Sequence, residues 1–254
     1  MRVLVTRPEP GGQRTADQLA RLGHVPVRMP LFETVVTAGL DDLPPVDAIG
    51  GLIATSARAF AMFGNGGVSG TGLVDVPVHA VGPATAQAAR DAGFSHVAEG
   101  GGTAEALTAT LTHLQERDAD DGQPAGSAVR PGALVYLAGV PRTRVIETAL
   151  EGGNHGFKVV ECYKMEEISY STDILKSDFL SPSPDVVLFY SANAARWFSE
   201  LVDAANLTKT LDFTRFLCLS PAIANQLRET WRERATVAER PDEDSLLASL
   251  AALG

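Results

Sequence analysis

The sequence contains little of what several classes of protein require. Among 254 residues there are two cysteines, Cys162 and Cys218, which lie far apart and match no CxxC spacing. This excludes a disulfide scaffold and a cysteine zinc site, and we interpret both as small buried hydrophobic residues. Basic residues are also few, because 21 Lys and Arg stand against 31 Asp and Glu, for a net charge of −10. Nucleic-acid binding by neutralisation of phosphates is therefore disfavoured.

Long apolar runs are absent as well. No stretch approaches the roughly 20 residues of a membrane span. Met1–Val5 enters a strand pattern at once, which leaves no room for a signal peptide. We therefore expect a cytoplasmic protein with no membrane partner.

The sequence also lacks the usual catalytic and cofactor motifs. The five histidines are scattered without the spacing of metal ligands, and there is no P-loop, no GxGxxG and no GxSxG element. We therefore expect no metal and no cofactor. An enzyme with this sequence would work without a nucleotide or a covalent nucleophile.

Short β-branched runs alternate with segments of helical period, and this pattern predicts an α/β fold with parallel sheets. A chain of 254 residues of which 45% are hydrophobic suffices for one large domain or for two smaller ones. A helix is predicted over Thr103–Leu114. The polar stretch Glu116–Gly132 is predicted to be a solvated loop.

One supersecondary block occurs twice in the chain. Ile53–Phe60 aligns with Leu188–Ala195 at an offset of 135, and Val81–Ala86 aligns with Leu219–Ala224 at an offset of 138. Two further matches follow in the same order. This repeat predicts two similar α/β domains with a cleft between them, where small-molecule sites are common. The alternative is that α/β sequences look alike at this level of detail.

Four predicted strand-to-helix junctions consist of small and hydroxyl-bearing residues. They are Thr55-Ser56, Gly82–Thr85, Gly139–Pro141 and Ser191–Asn193. Free backbone N–H groups and the helix dipole favour an anion there. The junctions lack acidic residues, and Arg58, Arg142 and Arg144 lie near two of them, whereas Asp242–Asp244 at the last helix would repel an anion. Ordinary N-capping explains any single junction, and only their convergence on one cleft would favour anion binding.

Tyr163 follows the apolar run Val159–Cys162. As a structural residue it would be an aromatic plug with its hydroxyl bonded to the backbone. As a functional residue its phenol would donate a hydrogen bond or a proton to a departing oxygen. The sequence alone slightly favours the structural role.

Taken together, these segments resemble the uroporphyrinogen-III synthase family through nearly the whole chain. The resemblance rests on Leu4–Pro8, Thr55–Arg58, Ala80–Ala86, the Gly139 turn with its arginines, the Tyr163 strand, Phe189–Ser191 and Glu239–Leu250. It implies two similar flavodoxin-like or Rossmann-like parallel-sheet domains, joined by a two-stranded crossover and separated by a cleft. The implied domains are residues 1–35 with 169–254, and residues 36–168.

The resemblance also implies a reaction. The family closes hydroxymethylbilane, a linear tetrapyrrole, into uroporphyrinogen III in haem, sirohaem and cobalamin biosynthesis, with inversion of the last ring and loss of water. The pyrrole nitrogens expel the hydroxide, so the protein mainly has to hold a flexible polycarboxylate in one conformation. The implied partner is this linear tetrapyrrole, and transient contact with the enzyme that produces it is a further expectation.

Carried over residue by residue, the resemblance makes Tyr163 the candidate acid and Thr85 an assisting hydroxyl. The candidate substrate-binding residues are Thr55, Ser56, Arg58, Gly82, Pro83, Ala84, Gly139, Arg142, Arg144, Ser191, Ala192 and Asn193, with Arg7 and Gln13 in addition.

The sequence departs from the family pattern at several positions. The second repeat has Ser220 and Ile223 in place of a glycine and a threonine, Tyr190 replaces a common threonine, and Ala138 replaces a common arginine. The altered second repeat supports a second hypothesis, a non-catalytic regulatory module that binds tetrapyrroles or polycarboxylates on the same fold. The retention of both candidate catalytic hydroxyls favours the enzyme.

Overall fold

The fold is described from a computed structural model, which covers residues 1–102, 106, 131–152 and 156–253. The predicted helix over Thr103–Leu114, apart from residue 106, and most of the predicted loop over Glu116–Gly132 lie outside the described residues.

Strands alternate with helices along the described chain. In chain order the strands are β1 (Arg2–Val5), β2 (Val25–Arg28), β3 (Phe32–Val36), β4 (Ile49–Ala54), β5 (Val78–Ala80), β6 (Val97–Glu99), β7 (Ala133–Val140), β8 (Phe157–Glu167), β9 (Val186–Phe189), β10 (Arg215–Cys218) and β11 (Ala235–Val237). The α-helices are α1 (Gly11–Arg21), α2 (Pro83–Asp91), α3 (Val145–Gly152), α4 (Thr172–Ile174), α5 (Ala192–Ala204), α6 (Pro221–Ala224), α7 (Glu229–Arg232) and α8 (Glu243–Ala251). Short 3₁₀ helices cover Leu40–Asp42, Val46–Ala48, Ala57–Phe63 and Thr208–Leu211, and a π-helical turn covers Leu175–Phe179.

Local chemistry sets the helix starts. Ser191 caps α5, its hydroxyl accepting a hydrogen bond from the amide of Ala194 at 3.2 Å. Asp242 caps α8 in the same way, through the amide of Ser245 at 2.8 Å. Pro83 occupies the first position of α2, where a missing N–H costs nothing.

The chain divides into two compact units, and each is described by itself. Met1–Glu33 and Glu166–Gly254 form the first unit, and Thr34–Met165 form the second. The second unit is an insertion in the first, and its boundaries fall inside β3 and β8.

The first unit contains a parallel sheet in the order β11-β10-β9-β1-β2. Its central strand β1 alternates between two cores, as the two-residue period of a strand requires. Leu4 packs on one face with Phe198 and Trp231, whereas Val3 and Val5 pack on the other face.

The second unit contains a sheet in the order β3-β8-β7-β4-β5-β6, parallel from β8 to β6. Every residue of β4 is buried, which is typical of a parallel strand covered on both faces. Leu52 and Val135 pack on one face with Phe60 and Phe63 of the 3₁₀ helix, and Ile53 packs on the other.

The two parallel sheets confirm the predicted α/β class. The repeat maps onto corresponding elements, because β4-β5-β6 and β9-β10-β11 have the same order within their sheets. No helix in the described ranges is long and apolar enough to cross a membrane.

Each sheet has one pair of adjacent strands from which the chain proceeds toward opposite edges of the sheet. In the first unit the chain runs from β1 outward to β2 and from β9 outward to β10 and β11. In the second unit it runs from β4 outward to β5 and β6, and from β7 outward to β8. The carboxyl ends of strands at such a switch point are where open α/β sheets bind ligands.

Both cysteines are buried, which confirms the interpretation of them as core residues. Burial raises the pKa of the Cys162 and Cys218 thiols to about 12. Neither thiol is therefore a nucleophile near neutral pH.

His79 is a histidine enclosed in the core of the second unit. It lies in β5, is 1% exposed, and its Nε2 is 3.5 Å from the position that a Cβ would take on Gly51. Neither ring nitrogen has a hydrogen-bond partner among the described residues. Burial lowers the pKa of His79 to about 4, because the charged form loses its hydration there.

Candidate active site

The candidate residues lie where strands end at their carboxyl sides. In the second unit, Thr55 and Ser56 follow β4, Gly82–Thr85 follow β5, and Gly139 lies near the end of β7. In the first unit, Arg7 follows β1, and Ser191–Asn193 follow β9. The strand pairs β4/β7 and β1/β9 are the switch points, so each unit brings part of the candidate set to its own expected ligand position.

Tyr163 lies against Gly139. The register of β7 and β8 pairs these two residues, and a Cβ on Gly139 would come within 2.5 Å of the Tyr163 hydroxyl and 2.7 Å of its Cε2. Only a glycine leaves room for the ring. Tyr163 is 9% exposed and packs in the core of the second unit, so the predicted aromatic packing is present. The predicted hydrogen bond from its hydroxyl to the backbone is not found among the described residues.

This close approach makes Gly139 a sensitive position. We expect Gly139→Ala to force the Tyr163 ring out of place and to lower the free energy of unfolding by about 1–3 kcal/mol, as overpacking does. Urea unfolding measures the loss, and turnover should fall with it. The matched control is Gly152→Ala at the end of α3, where a Cβ meets no atom of the described residues within 4 Å. Unchanged stability and turnover in Gly139→Ala would contradict the packing described here.

Thr55 is positioned by a residue that the sequence did not identify. The Thr55 and Tyr136 hydroxyls are 3.3 Å apart, and Tyr136 lies in β7 with 2% of its surface exposed. Burial raises the pKa of Tyr136, so its phenol stays protonated at neutral pH. The only signal in the sequence was one phenol in an otherwise aliphatic strand, which is equally typical of a core residue.

Among the described residues, no side chain caps the N-terminus of the helix that starts after β5. Gly82 is the N-cap residue in an extended conformation, and no described side chain accepts from the first turn of α2. Pro83 has no N–H, so the amides of Ala84 and Thr85 remain as donors. Pro83 and Ala84 are exposed and the Thr85 side chain is buried. This end of α2 can accept a carboxylate.

Two other junctions have ordinary caps. Ser56 accepts a hydrogen bond from the amide of Arg58 at 3.3 Å, and Ser191 caps α5 as described above. Their side chains therefore satisfy part of each helix end, as the capping alternative predicts. Arg58 and Asn193 are exposed, and Ala192 is half-buried.

Residues 139–141 contain no acidic residue, but the helix that follows them brings a carboxylate near this junction. The first turn of α3 contains Glu147, which is 5% exposed and pairs with Arg142 Nε at 2.8 Å. Arg142 also pairs with Glu161 at 2.9 Å, and hydrogen bonds to both carboxylates raise its pKa. Arg144 pairs with Glu151 at 2.8 Å. Internal carboxylates therefore neutralise both arginines.

The candidate residues near α1 are also paired. Arg7 Nη1 donates to Glu243 Oε2 at 3.0 Å. Gln13 Nε2 donates to Asp17 at 2.6 Å, and the amide of Gln13 donates to Glu9 at 2.8 Å. The acidic start of the last helix therefore repels an anion less than predicted, because Glu243 is paired with Arg7.

Comparison with known proteins gives two kinds of similarity. No curated protein sequence matches the chain significantly. The fold is similar to the crystal structure of uroporphyrinogen-III synthetase from Helicobacter pylori, with a TM-score of 0.65, 18% identity and 100% of both chains covered. It is also similar to a mutant uroporphyrinogen III synthase from Thermus thermophilus, with a TM-score of 0.52, 18% identity, and 99% of this chain and 98% of the other covered.

At these identities the two structures support the fold alone. The sequence itself supplies the stronger match. Residues 13–248 match the profile of the HEM4 family, described as uroporphyrinogen-III synthase HemD. This range contains nearly the whole chain and every candidate residue except Arg7, so the chain belongs to the uroporphyrinogen-III synthase family.

Proposed function

We propose that this chain cyclises hydroxymethylbilane to uroporphyrinogen III, as a hydro-lyase that inverts the last ring. The family match over residues 13–248 carries the proposal. The position of Tyr163 over Gly139, at the carboxyl end of β7, supports a role for this phenol in the reaction. A cytoplasmic location and transient contact with the enzyme that supplies the substrate remain predictions.

The reaction depends on the positioning of the substrate more than on a strong acid or base. The pyrrole nitrogen expels hydroxide from the hydroxymethyl group of the first ring, which leaves an azafulvene-like cation. The hydroxide becomes water with the proton that is released when the ring closes. The protein holds the last ring of the linear tetrapyrrole near this cation, so the substrate does not have to search among many conformers. This is an orientation effect. In our proposal a hydrogen bond from the Tyr163 hydroxyl assists the departing oxygen. A phenol suits this step because it donates while remaining neutral.

The substrate carboxylates require hydrogen-bond donors that are not already paired with other groups of the protein. We propose that the amides of Ala84 and Thr85 at the start of α2 bind one of them, since no described side chain competes there. Thr55, held by Tyr136 at 3.3 Å, offers a second hydroxyl at the switch point. Arg142 and Arg144 contribute less than their charges suggest, because each already has a carboxylate partner.

The test is the isomer that forms. Purified protein is given hydroxymethylbilane, and the type III product is separated from the type I product. We expect type III to dominate at a rate proportional to enzyme. If only the spontaneous type I isomer appears, the chain is not a synthase, and the non-catalytic binding module becomes the hypothesis to test.

A further inference from the structure

A cluster of polar side chains in the first unit converges on one carboxylate. Arg7 Nη1 donates to Glu243 Oε2 at 3.0 Å, and the Tyr190 hydroxyl donates to Glu243 Oε1 at 3.2 Å. The Thr15 hydroxyl donates to the same Oε1. The three donors come from the end of β1, from α1 and from the end of β9, whereas Glu243 begins α8.

The donors are held independently of Glu243. The Arg7 guanidinium lies over the Tyr190 ring, 4.4 Å from its centroid, in a cation–π contact. A Cβ on Gly11 would come within 2.6 Å of Arg7 Nε, so the glycine at the start of α1 makes room for this arrangement. Thr15 is fully buried. The donors are therefore in place before any carboxylate arrives.

The electrostatics are those of an occupied anion site. Burial raises the pKa of the Glu243 carboxyl, but hydrogen bonds from Thr15, Arg7 and Tyr190 and the charge of Arg7 outweigh it, so the pKa lies below its ordinary value. Burial raises the pKa of Tyr190 to about 12, which keeps its hydroxyl a donor. Water still reaches the ion pair, because the side chains of Arg7 and Glu243 are 25% and 31% exposed.

The position of the cluster is that of a ligand site. Tyr190 directly follows β9, and Arg7 lies two residues past the end of β1. These adjacent central strands form the switch point of this sheet. Glu243 reaches this position from α8, a helix that is otherwise attached through Leu246, Leu247 and Leu250 in the core. The carboxylate thus fills the point at which the fold would present a ligand.

We propose that Arg7, Thr15 and Tyr190 form a carboxylate-binding site which Glu243 fills as an internal competitor, and that a side-chain carboxylate of the acidic tetrapyrrole displaces it. The identity of this ligand rests on the proposed function. An internal competitor lowers the apparent affinity for any single carboxylate. A polycarboxylate overcomes it, because its other contacts raise the effective concentration of the group that enters the site.

The first experiment uses propionate and no tetrapyrrole. Thermal unfolding of Glu243→Ala is followed against sodium propionate, with sodium chloride at equal ionic strength as reference. We expect propionate to raise the midpoint of this variant saturably and to leave wild-type protein and the Arg7→Gln/Glu243→Ala double variant unchanged. If Glu243→Ala responds no more than wild type does, Glu243 is only a link between α8 and the sheet, and the proposal is overturned.

The second experiment tests the ligand. Uroporphyrin I, a fluorescent porphyrin with eight carboxylates, is titrated into wild type and Glu243→Ala. Removal of the competitor should tighten binding by about threefold to tenfold, the range expected for an ion pair of this exposure. Glu200→Ala removes an equally negative side chain, which pairs with Arg196 in α5, and should leave the affinity unchanged. Equal affinities in Glu243→Ala and wild type would overturn the assignment of the ligand.

Two provisions keep these tests decisive. If Glu243→Ala does not fold, Glu243→Gln keeps the shape of the side chain and removes its charge, and tighter porphyrin binding is again expected. Wild-type turnover of hydroxymethylbilane is measured separately. If wild type turns over hydroxymethylbilane but propionate does not raise the unfolding midpoint of Glu243→Ala, this site alone is refuted. If propionate raises that midpoint but wild type shows no turnover, the proposed function alone is refuted.

Discussion

Tyr163→Phe is expected to slow formation of uroporphyrinogen III by about 100-fold or more, the usual contribution of a positioned acid, with little change in stability. The stability expectation follows from the structure, because among the described residues the Tyr163 hydroxyl makes no hydrogen bond that phenylalanine would lose. The ring itself, which packs in the core and over Gly139, is retained. Initial rates of type III formation and urea unfolding measure the two effects.

Tyr170 is the matched control for this substitution. Its hydroxyl donates to the backbone oxygen of Pro30 at 2.7 Å, so Tyr170→Phe should cost about 1 kcal/mol of unfolding free energy and leave turnover unchanged. The two variants thus separate a reacting hydroxyl from a structural one. Turnover of Tyr163→Phe within a few-fold of wild type would remove this residue from the mechanism.

Acid should destabilise the protein through His79. Its pKa is about 4 in the folded chain and about 6.5 in an unfolded one, so the unfolded state binds an additional proton between these values. The stability is fully present above pH 6.5, falls as the pH drops from 6.5 to 4, and changes no further through this group below pH 4. The difference corresponds to about 3 kcal/mol.

His79→Leu is expected to remove this part of the pH dependence. It also replaces two buried nitrogens that lack described partners, so the variant should be more stable than wild type at pH 4.5. Urea unfolding at pH 4.5, 5.5 and 7 measures both effects. His96→Leu, at a half-exposed position, is the control and should keep the wild-type profile. Parallel profiles for His79→Leu and wild type would show that the ring is not held neutral.

The sequence predicted the positions of the junctions because local patterns determine them. Thr55, Gly82 and Ser191 are small or hydroxyl-bearing residues between an apolar run and a helical period, and each lies at the carboxyl end of a strand. Gly139 was identified in the same way. Its physical reason was not, because the Tyr163 ring that passes over it comes from the neighbouring strand.

Long-range charge pairing accounts for what the sequence could not predict. Glu161 is 19 residues from Arg142, and Glu243 is 236 residues from Arg7. Nothing in the local pattern indicates that these carboxylates face those guanidinium groups. Counting arginines near a junction therefore overestimated the positive charge of that junction. Likewise, the acidic sequence at the start of the last helix did not indicate that Glu243 pairs with Arg7.

The insertion of the second unit into the first has a consequence for synthesis of the chain. Strand β1 pairs on one side with β2, but its other partner, β9, begins at Val186. The second unit is continuous and complete at Met165, whereas β9 ends 24 residues later at Phe189. At ordinary translation rates this delay is about 1–5 s. On a ribosome the inserted unit can therefore fold first, while β1 waits with one edge unpaired. During those seconds the N-terminal strand, whose Val3, Leu4 and Val5 are later fully buried, is the segment most open to chaperone capture.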